Sequence, residues 1–181
     1  MESSLRRNES RAHNPPSPNC DEALSQSPMN AIAPYQGHFD GKDHLFAVRV
    51  YFEDTDFSGI VYHARYLHFM ERARSDMLAR AGIDQRGAHE AGEGAYAVTH
   101  MDIAFRRAAK FDDALLVTSK VTAIRGASVD IHQRVMRDEE VIIEAKVTAA
   151  FVRPDGRPGR QPKLWRDAFQ AILEAPEGKK E

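Results

Sequence analysis

The chain lacks most features of secreted, membrane-spanning and nucleic-acid-binding proteins. Its 181 residues include one cysteine, Cys20, so no internal disulfide can form, and this predicts a reducing compartment. No segment approaches the ~20 continuous apolar residues that a membrane helix needs, and the N-terminus lacks the apolar core of a secretory signal. The formal net charge is only −2, which gives no general attraction to nucleic acid or anionic lipid. We therefore predict a cytoplasmic protein.

Two kinds of recognition element are also missing. No glycine-rich phosphate-binding loop occurs, and no helix-turn-helix segment is evident, so a sensor acting on DNA is disfavoured. We expect no metal and no separate cofactor. The chain is long enough for one ordinary domain with a sizeable core.

The first 43 residues differ in composition from the rest. They are rich in proline and serine, as at 14–18 and 25–28, and contain few clustered aliphatic residues. Such a segment cannot bury enough apolar surface to offset the entropy lost on ordering. We therefore predict a flexible N-terminal tail over 1–43, one domain over 44–174 and a short C-terminal tail over 175–181.

Apolar periodicity predicts an α+β domain. Apolar residues alternate with others through 46–52, which is typical of a half-buried strand. From Tyr62 to Ala81 they recur every three or four residues, which predicts one long amphipathic helix that stops at Gly82. Four further strands are predicted at about 94–108, 114–125, 127–138 and 141–153, and a final helix carries Trp165 and Phe169.

The order of these elements predicts the fold class. One strand, one long helix and then four strands favour a curved antiparallel sheet of about five strands wrapped around a central helix. A doubly wound parallel sheet would need repeated crossover helices, so it is disfavoured. Because the edges of such a sheet are open, we expect a homo-oligomer, either a dimer or a tetramer.

The junction between the first strand and the long helix is the most informative part of the sequence. It places Asp56 after an apolar strand, followed by a glycine turn and a helix start near His63. A helix start presents unpaired backbone N–H groups and the positive end of the helix dipole. A carboxylate held beside it could attack a polarised carbonyl, or activate water against it.

Three other kinds of site or structure have a similar acidic turn. A calcium loop would use Asp54, Asp56 and Ser58, but its twelfth position should be glutamate and is Arg65 here, which excludes it. An aspartyl-phosphate phosphatase would also place an Asp pair after a strand, but that chemistry usually belongs to α/β sheets. The third alternative, an aspartate that only caps the helix or closes the turn, remains open on pattern alone.

Several motifs together resemble one family. The Tol–Pal-associated, YbgC-type acyl-CoA thioesterases, a branch of the 4-hydroxybenzoyl-CoA thioesterase group of hot-dog proteins, resemble this chain from about 44 to 170. The resemblance is carried by the runs 49–56, 59–64, 66–67, 112–117 and 125–128. It departs at Phe57-Ser58, where relatives often have smaller residues, and in the length of the N-terminal tail.

The resemblance implies a hot-dog fold, active sites at a dimer interface and thioester hydrolysis. It implies that Asp56 is the catalytic carboxylate and that His63 begins the central helix. We expect Asp56 to act as nucleophile or general base. We expect the His63 imidazole to take part in catalysis by orienting substrate or water, the alternative being a histidine that only hydrogen-bonds the turn. We expect the backbone amides of 59–63 to polarise the thioester carbonyl, namely those of Gly59, Ile60, Val61, Tyr62 and His63. Coenzyme A enters as part of the substrate.

Three further residues are candidates with weaker grounds. Arg125 and Ser128 lie in a family-like turn and could meet coenzyme A phosphates. Glu71 lies two helical turns beyond His63 and could be a second acid, although an ion pair with Arg72 or Arg74 is the simpler expectation.

Two alternative functions stay open at this point. The same fold could act on acyl groups carried by acyl-carrier protein. A protein of a different class would bind acyl-CoA without catalysis, as a scaffold in the cell-envelope Tol–Pal system. An intact Asp56 beside an intact helix start favours catalysis.

Overall fold

The computed structural model describes residues 35–173. Most of the predicted N-terminal tail, and all of the predicted C-terminal tail, lie outside the described residues. The strands are β1 (His38–Asp40), β2 (Asp43–Arg49), β3 (Ala95–Phe105), β4 (Ala114–Ile124), β5 (Ser128–Arg137) and β6 (Glu140–Val152). The helices are α1 (His63–Arg80), α2 (Gln85–Glu90) and α3 (Lys163–Ile172), with a 3-10 turn at Phe52–Asp54.

All six strands form one antiparallel sheet in the order β1-β2-β4-β5-β6-β3. The long connection from β2 through α1 and α2 to β3 places β3 at the far edge, so that within residues 35–173 β3 is paired on one side only, with β6. A bulge between Val98 and His100 interrupts this pairing. The edge therefore presents a row of unpaired backbone groups.

Helix α1 packs its apolar face against the sheet, as the spacing predicts. Its buried residues include Tyr66, Phe69, Met70, Ala73 and Met77. They join two core clusters, one under β4 to β6 and one closed by Trp165 and Phe169 of α3. None of the helices within 35–173 is both long and apolar enough to cross a membrane.

The sheet has one strand more than the sequence predicted, because β1 lies in the segment that composition assigned to the tail. Backbone pairing with β2 needs no apolar pattern, so periodicity could not reveal it. Asp76 of α1 fixes this hairpin: one carboxylate oxygen accepts from the Gly37 amide at 2.9 Å and lies 2.8 Å from Nε2 of buried His44. Gly37 is needed there, since a Cβ would lie 2.4 Å from the Leu45 carbonyl oxygen.

Candidate active site

Asp54 anchors the turn between β2 and α1. Its side chain is almost fully buried and accepts from the Tyr51 amide at 2.8 Å and from Nε of Arg65 at 2.7 Å. Its carbonyl oxygen accepts from the Tyr62 amide at 2.9 Å. Arg65 also reaches Glu53, at 3.0 Å. Asp54 therefore ties both ends of the turn to the first turn of α1.

Asp56, two residues further on, is exposed and has different partners. Its Oδ1 accepts from the Ser58 amide at 2.8 Å and from the Ser58 hydroxyl. These bonds, the hydroxyl first, hold the pKa of Asp56 below its usual value, and His63 adds a smaller effect in the same direction. Across the described part of the chain, no Lys, Arg or His forms a salt bridge with Asp56. The turn thus presents an ionised carboxylate toward solvent.

Backbone amides of the helix start divide into two groups. The amides of Gly59, Val61 and Tyr62 donate to the carbonyls of Asp56, Ala109 and Asp54, at 3.0, 2.8 and 2.9 Å. Gly59 has φ +75°, a left-handed conformation that glycine adopts without strain. These three amides close the turn and hold it against the β3–β4 connection.

Two of the candidate amides are left open. Within residues 35–173, the amides of Ile60 and His63 have no hydrogen-bond acceptor. The next amide, Ala64, is also open and was not singled out from the sequence. The N-cap residue Tyr62 makes no side-chain cap, so the first turn keeps the unsatisfied N–H groups that helix ends ordinarily present. The positive end of α1 is therefore available to an oxygen atom beside Asp56.

A pocket of about 450 Å³ brings these parts together. Asp56, Ile60 and His63 line it, with Tyr66 of α1 and Phe105 to Ala108 at the end of β3. The imidazole of His63 lies edge-on to the Phe105 ring, with 6.3 Å between centroids. Tyr66 is buried, and its hydroxyl accepts from the Ala109 amide at 2.9 Å, which fixes the β3–β4 connection to α1.

Phe105, Arg106 and Arg107 were not found from the sequence. The arginine doublet at the end of β3 was the available signal. Arg106 pairs with Glu144, and Nε of Arg107 lies 3.3 Å from Glu140. Both arginines stay more than half exposed, so the mouth of the pocket carries positive charge that is only partly compensated.

Arg125 and Ser128 lie at the other end of the sheet from Asp56. Arg125 follows β4, whose length of eleven residues corresponds to roughly 33 Å, whereas the Asp56 turn contacts the residues just before that strand. Arg125 forms a two-pronged ion pair with Asp130, at 2.7 and 2.6 Å. Within one chain, neither residue shares the pocket of Asp56.

Glu71 is also outside this pocket, at about 12 Å from His63 along the helix axis. Its carboxylate accepts from the Ser75 hydroxyl at 2.6 Å. The simpler expectation, an ion pair with Arg72 or Arg74, is not found among the salt bridges of residues 35–173. Arg74 instead points inward and donates to Gln133 at 2.7 Å.

Comparisons with known proteins identify the family and agree with the fold. A family model described as the thioesterase-like superfamily matches residues 50–173. The acyl-CoA thioesterase YbgC of Haemophilus influenzae is 44% identical over 107 residues, which cover 59% of this chain and 79% of that protein.

Solved structures resemble the same region. A probable thioesterase from Bartonella henselae is 38% identical, with a TM-score of 0.63, and the match covers 66% of this chain and 99% of that one. A 1,4-dihydroxy-2-naphthoyl-CoA thioesterase from Synechocystis is 21% identical, with a TM-score of 0.66, over 71% of this chain and 96% of that one. This second likeness shows the fold alone. The predicted hot-dog architecture is confirmed.

Proposed function

The chain belongs to the thioesterase-like superfamily, and from that premise we propose that it hydrolyses acyl-CoA to a free acid and coenzyme A, with Asp56 as the reacting carboxylate. The observation that carries the proposal is the pairing of an exposed, ionised Asp56 with open amides at the start of α1. The YbgC protein of H. influenzae, named an acyl-CoA thioesterase, supports the same reaction.

Asp56 supplies the first chemical step by one of two routes. In the first route it attacks the thioester carbonyl carbon and displaces the thiolate, and water then hydrolyses the resulting anhydride to the free acid and regenerates Asp56. In the second route it removes a proton from a water molecule that attacks the same carbon and displaces the thiolate. Both routes need the carboxylate form, which the two hydrogen bonds from Ser58 favour. The Ser58 bonds also fix which carboxylate oxygen is occupied, so the other oxygen, Oδ2, remains for the reaction.

The start of α1 stabilises the charge that develops on the carbonyl oxygen. The amide of His63 and the positive end of the helix are available for this, and Ile60, whose amide is also open, lines the same pocket. The leaving thiolate has a pKa near ~8.5, by analogy with cysteine. Because such a group leaves without strong acid assistance, one carboxylate suffices. The His63 imidazole, at the pocket wall, orients substrate or water.

The coenzyme A portion lies at the mouth of the pocket. Arg106 and Arg107 are exposed there and can pair with phosphate oxygens. Arg125 and Ser128 are too far from Asp56 in the same chain, so they reach a bound coenzyme A only from a second copy.

A second copy pairs along β3. This edge strand has eleven residues with an unpaired side, and the large side chains of Val98 and Phe105 on it are 47% and 51% exposed. Pairing of two β3 strands buries these residues and covers the neighbouring pocket. A homotetramer, the larger of the two assemblies expected from the sequence, is two such dimers, and sedimentation of the whole chain distinguishes dimer from tetramer. A cytoplasmic location and a Tol–Pal association stay predictions from the sequence.

The function is tested by thiol release from aromatic, short-chain and long-chain acyl-CoAs. We expect turnover with at least one class and its loss in Asp56→Asn. No thiol release by a wild-type protein that still binds acyl-CoA would contradict the proposal. Turnover of the same acyl groups only on acyl-carrier protein would then favour the carrier-protein alternative, and none on either carrier would favour the binding scaffold.

A further inference from the structure

A second cavity follows the seam between α1 and β3, beyond the pocket of Asp56. It measures about 440 Å³ and is lined by Leu67, His68, Glu71, Arg74, Val98 and Met101. A smaller hollow of about 120 Å³ shares Glu71, Arg74 and Val98 with it and extends inward to Tyr96. We refer to these two adjoining spaces as the seam groove.

The seam groove is in line with the start of α1. His63, Leu67, Glu71 and Arg74 recur at spacings of three and four residues, so they share one face of the helix. Phe105 at the pocket of Asp56 and Met101 at the groove lie on the same strand, at positions of equal parity. An acyl group whose thioester lies at Asp56 can therefore extend along the groove toward Arg74.

Arg74 is a buried cation that the described residues leave without a carboxylate partner. Its residue surface is only 9% exposed, and no salt bridge within 35–173 includes it. Among the described residues, the guanidinium makes one hydrogen bond, from Nη1 to Oε1 of Gln133, at 2.7 Å. A guanidinium has five N–H donors, and Arg74 lines both parts of the seam groove.

The position of the guanidinium is fixed by a buried network. Gln133, which accepts from it, donates in turn to the Met70 carbonyl at 3.0 Å and to the Ser119 hydroxyl at 2.9 Å. Gln133 and Ser119 are fully buried. Burial also lowers the pKa of Arg74, against the attraction of Glu71. A buried charge is costly unless it is paired and hydrogen-bonded. The guanidinium of Arg74 is held in place and still has unused N–H donors, so it is suited to bind an oxygen atom of a ligand.

We propose that Arg74 selects acyl groups that carry an oxygen acceptor, a hydroxyl or a carboxylate, at the end remote from the thioester. Arg74 follows His63 by eleven residues, about 16 Å along the helix axis, and helical side chains lean toward the N-terminus, which shortens that gap. Short acyl groups end before Arg74, whereas a medium-length chain brings its far end to the guanidinium. The inference rests on the proposed thioesterase function.

Three acyl-CoAs of equal chain length test it: octanoyl-CoA, 8-hydroxyoctanoyl-CoA and octanedioyl-CoA. Their kcat/KM values are measured with the wild-type chain, Arg74→Met and Arg72→Met. Arg72 is an exposed arginine of the same helix and serves as the matched control. We expect the wild type to favour at least one oxygenated substrate by about 10- to 100-fold, as for a hydrogen bond to a charged group. The comparison of 8-hydroxyoctanoyl-CoA with octanedioyl-CoA shows whether a hydroxyl or a carboxylate is preferred.

Arg74→Met should abolish that preference and leave octanoyl-CoA turnover within a few-fold, whereas Arg72→Met should keep the preference. If Arg74→Met does not fold, Arg74→Lys replaces it, and we expect a reduced preference because a single ammonium lacks the fork. Equal losses on all three substrates, or no preference in the wild type, would overturn the proposal. So would dissociation of the oligomer in Arg74→Met, which would assign Arg74 to a contact between copies.

The two proposals fail in different ways. If the wild type hydrolyses none of the three acyl-CoAs, nor any of the broader panel, the proposed function itself fails. If octanoyl-CoA is hydrolysed as well as its oxygenated analogues, the thioesterase stands and only the role of Arg74 is refuted.

Discussion

The two halves of the acidic turn use the same side chain in opposite ways. Asp54 is 2% exposed and is surrounded by the Tyr51 amide and Arg65. The carboxylate of Asp56 is exposed, and among residues 35–173 it accepts hydrogen bonds only from Ser58. A buried and paired carboxylate fixes the backbone, whereas an exposed one with a free oxygen can react. The position of each aspartate in the turn, rather than its residue type, therefore determines whether its role is structural or catalytic. The same substitution made at each of the two positions tests this.

The largest expected effect is that of Asp56→Asn on catalysis. Loss of the carboxylate removes the nucleophile or base, and we expect kcat to fall by about 10³-fold or more. The melting temperature should stay close to that of the wild type, since the Asp56 side chain is exposed. Thiol release and thermal unfolding measure the two effects. An unchanged kcat would refute the assignment.

The matched change Asp54→Asn should act mainly on stability. It leaves Arg65 without its buried partner, although Glu53 still reaches Arg65, and we expect a loss of about 1–3 kcal/mol in the free energy of unfolding. Urea unfolding at neutral pH measures it. If Asp54→Asn leaves stability intact and abolishes turnover in the folded protein, the division of roles between the two aspartates is wrong.

A smaller effect is expected from Ser58→Ala, on the pH profile. The Ser58 hydroxyl is the larger cause of the lowered pKa of Asp56. Without it the pKa rises, a larger fraction of Asp56 is protonated at acid pH, and the acidic limb of kcat/KM moves to higher pH. Ser58→Thr keeps a hydroxyl and is the control. An acidic limb that does not move would show that another group controls it.

The smallest expected effect is on the free energy of unfolding at mildly acid pH, and it comes from His44, which lies outside the acidic turn. Burial lowers the pKa of His44, with His38 and Arg80 acting in the same direction and Asp76 opposing them. As pH decreases, the His44 imidazole binds a proton near pH ~6.5 in the unfolded chain and only at a lower pH in the folded chain. The free energy of unfolding therefore falls as pH decreases from about 6.5 toward the folded pKa, and the loss stops below it.

His44→Gln removes this titration and keeps a donor toward Asp76. Over pH 7 to 5.5, its free energy of unfolding should fall less than that of the wild type. The exposed His68 of α1, changed to Gln, is the control and should behave as the wild type does. Identical pH dependence in His44→Gln and the wild type would contradict the assignment of this loss to His44.

Elements with local patterns were predictable from the sequence. Apolar patterns and turn residues predicted all five strands from β2 to β6, and three-to-four spacing predicted α1 almost to the residue. The strand β1 was not predicted, because its pairing uses backbone groups and the distant Asp76. Local pattern carries no information about contacts of that kind.

The site was predicted only in part, because some of its features also depend on contacts between residues distant in sequence. The sequence located the turn and the helix start, but it could not tell which amides are open. That depends on Ala109, 48 residues beyond Val61, whose carbonyl takes the Val61 amide. Phe105 and Arg106 enter the pocket through the pairing of β3 with β6, and Arg74 meets Gln133 across 59 residues.

The most direct test of the account is a comparison of His63→Pro with His63→Ala. Both lose the imidazole, but only proline also loses the open amide at the first helical position, where proline is tolerated. The preceding residue, Tyr62, already has the extended conformation that proline requires, at φ −60° and ψ 131°. We predict that kcat for thiol release in His63→Pro is about 10²- to 10³-fold below that in His63→Ala, as for loss of one oxyanion donor. Equal kcat values in the two folded variants would contradict the claim that the start of α1 polarises the thioester.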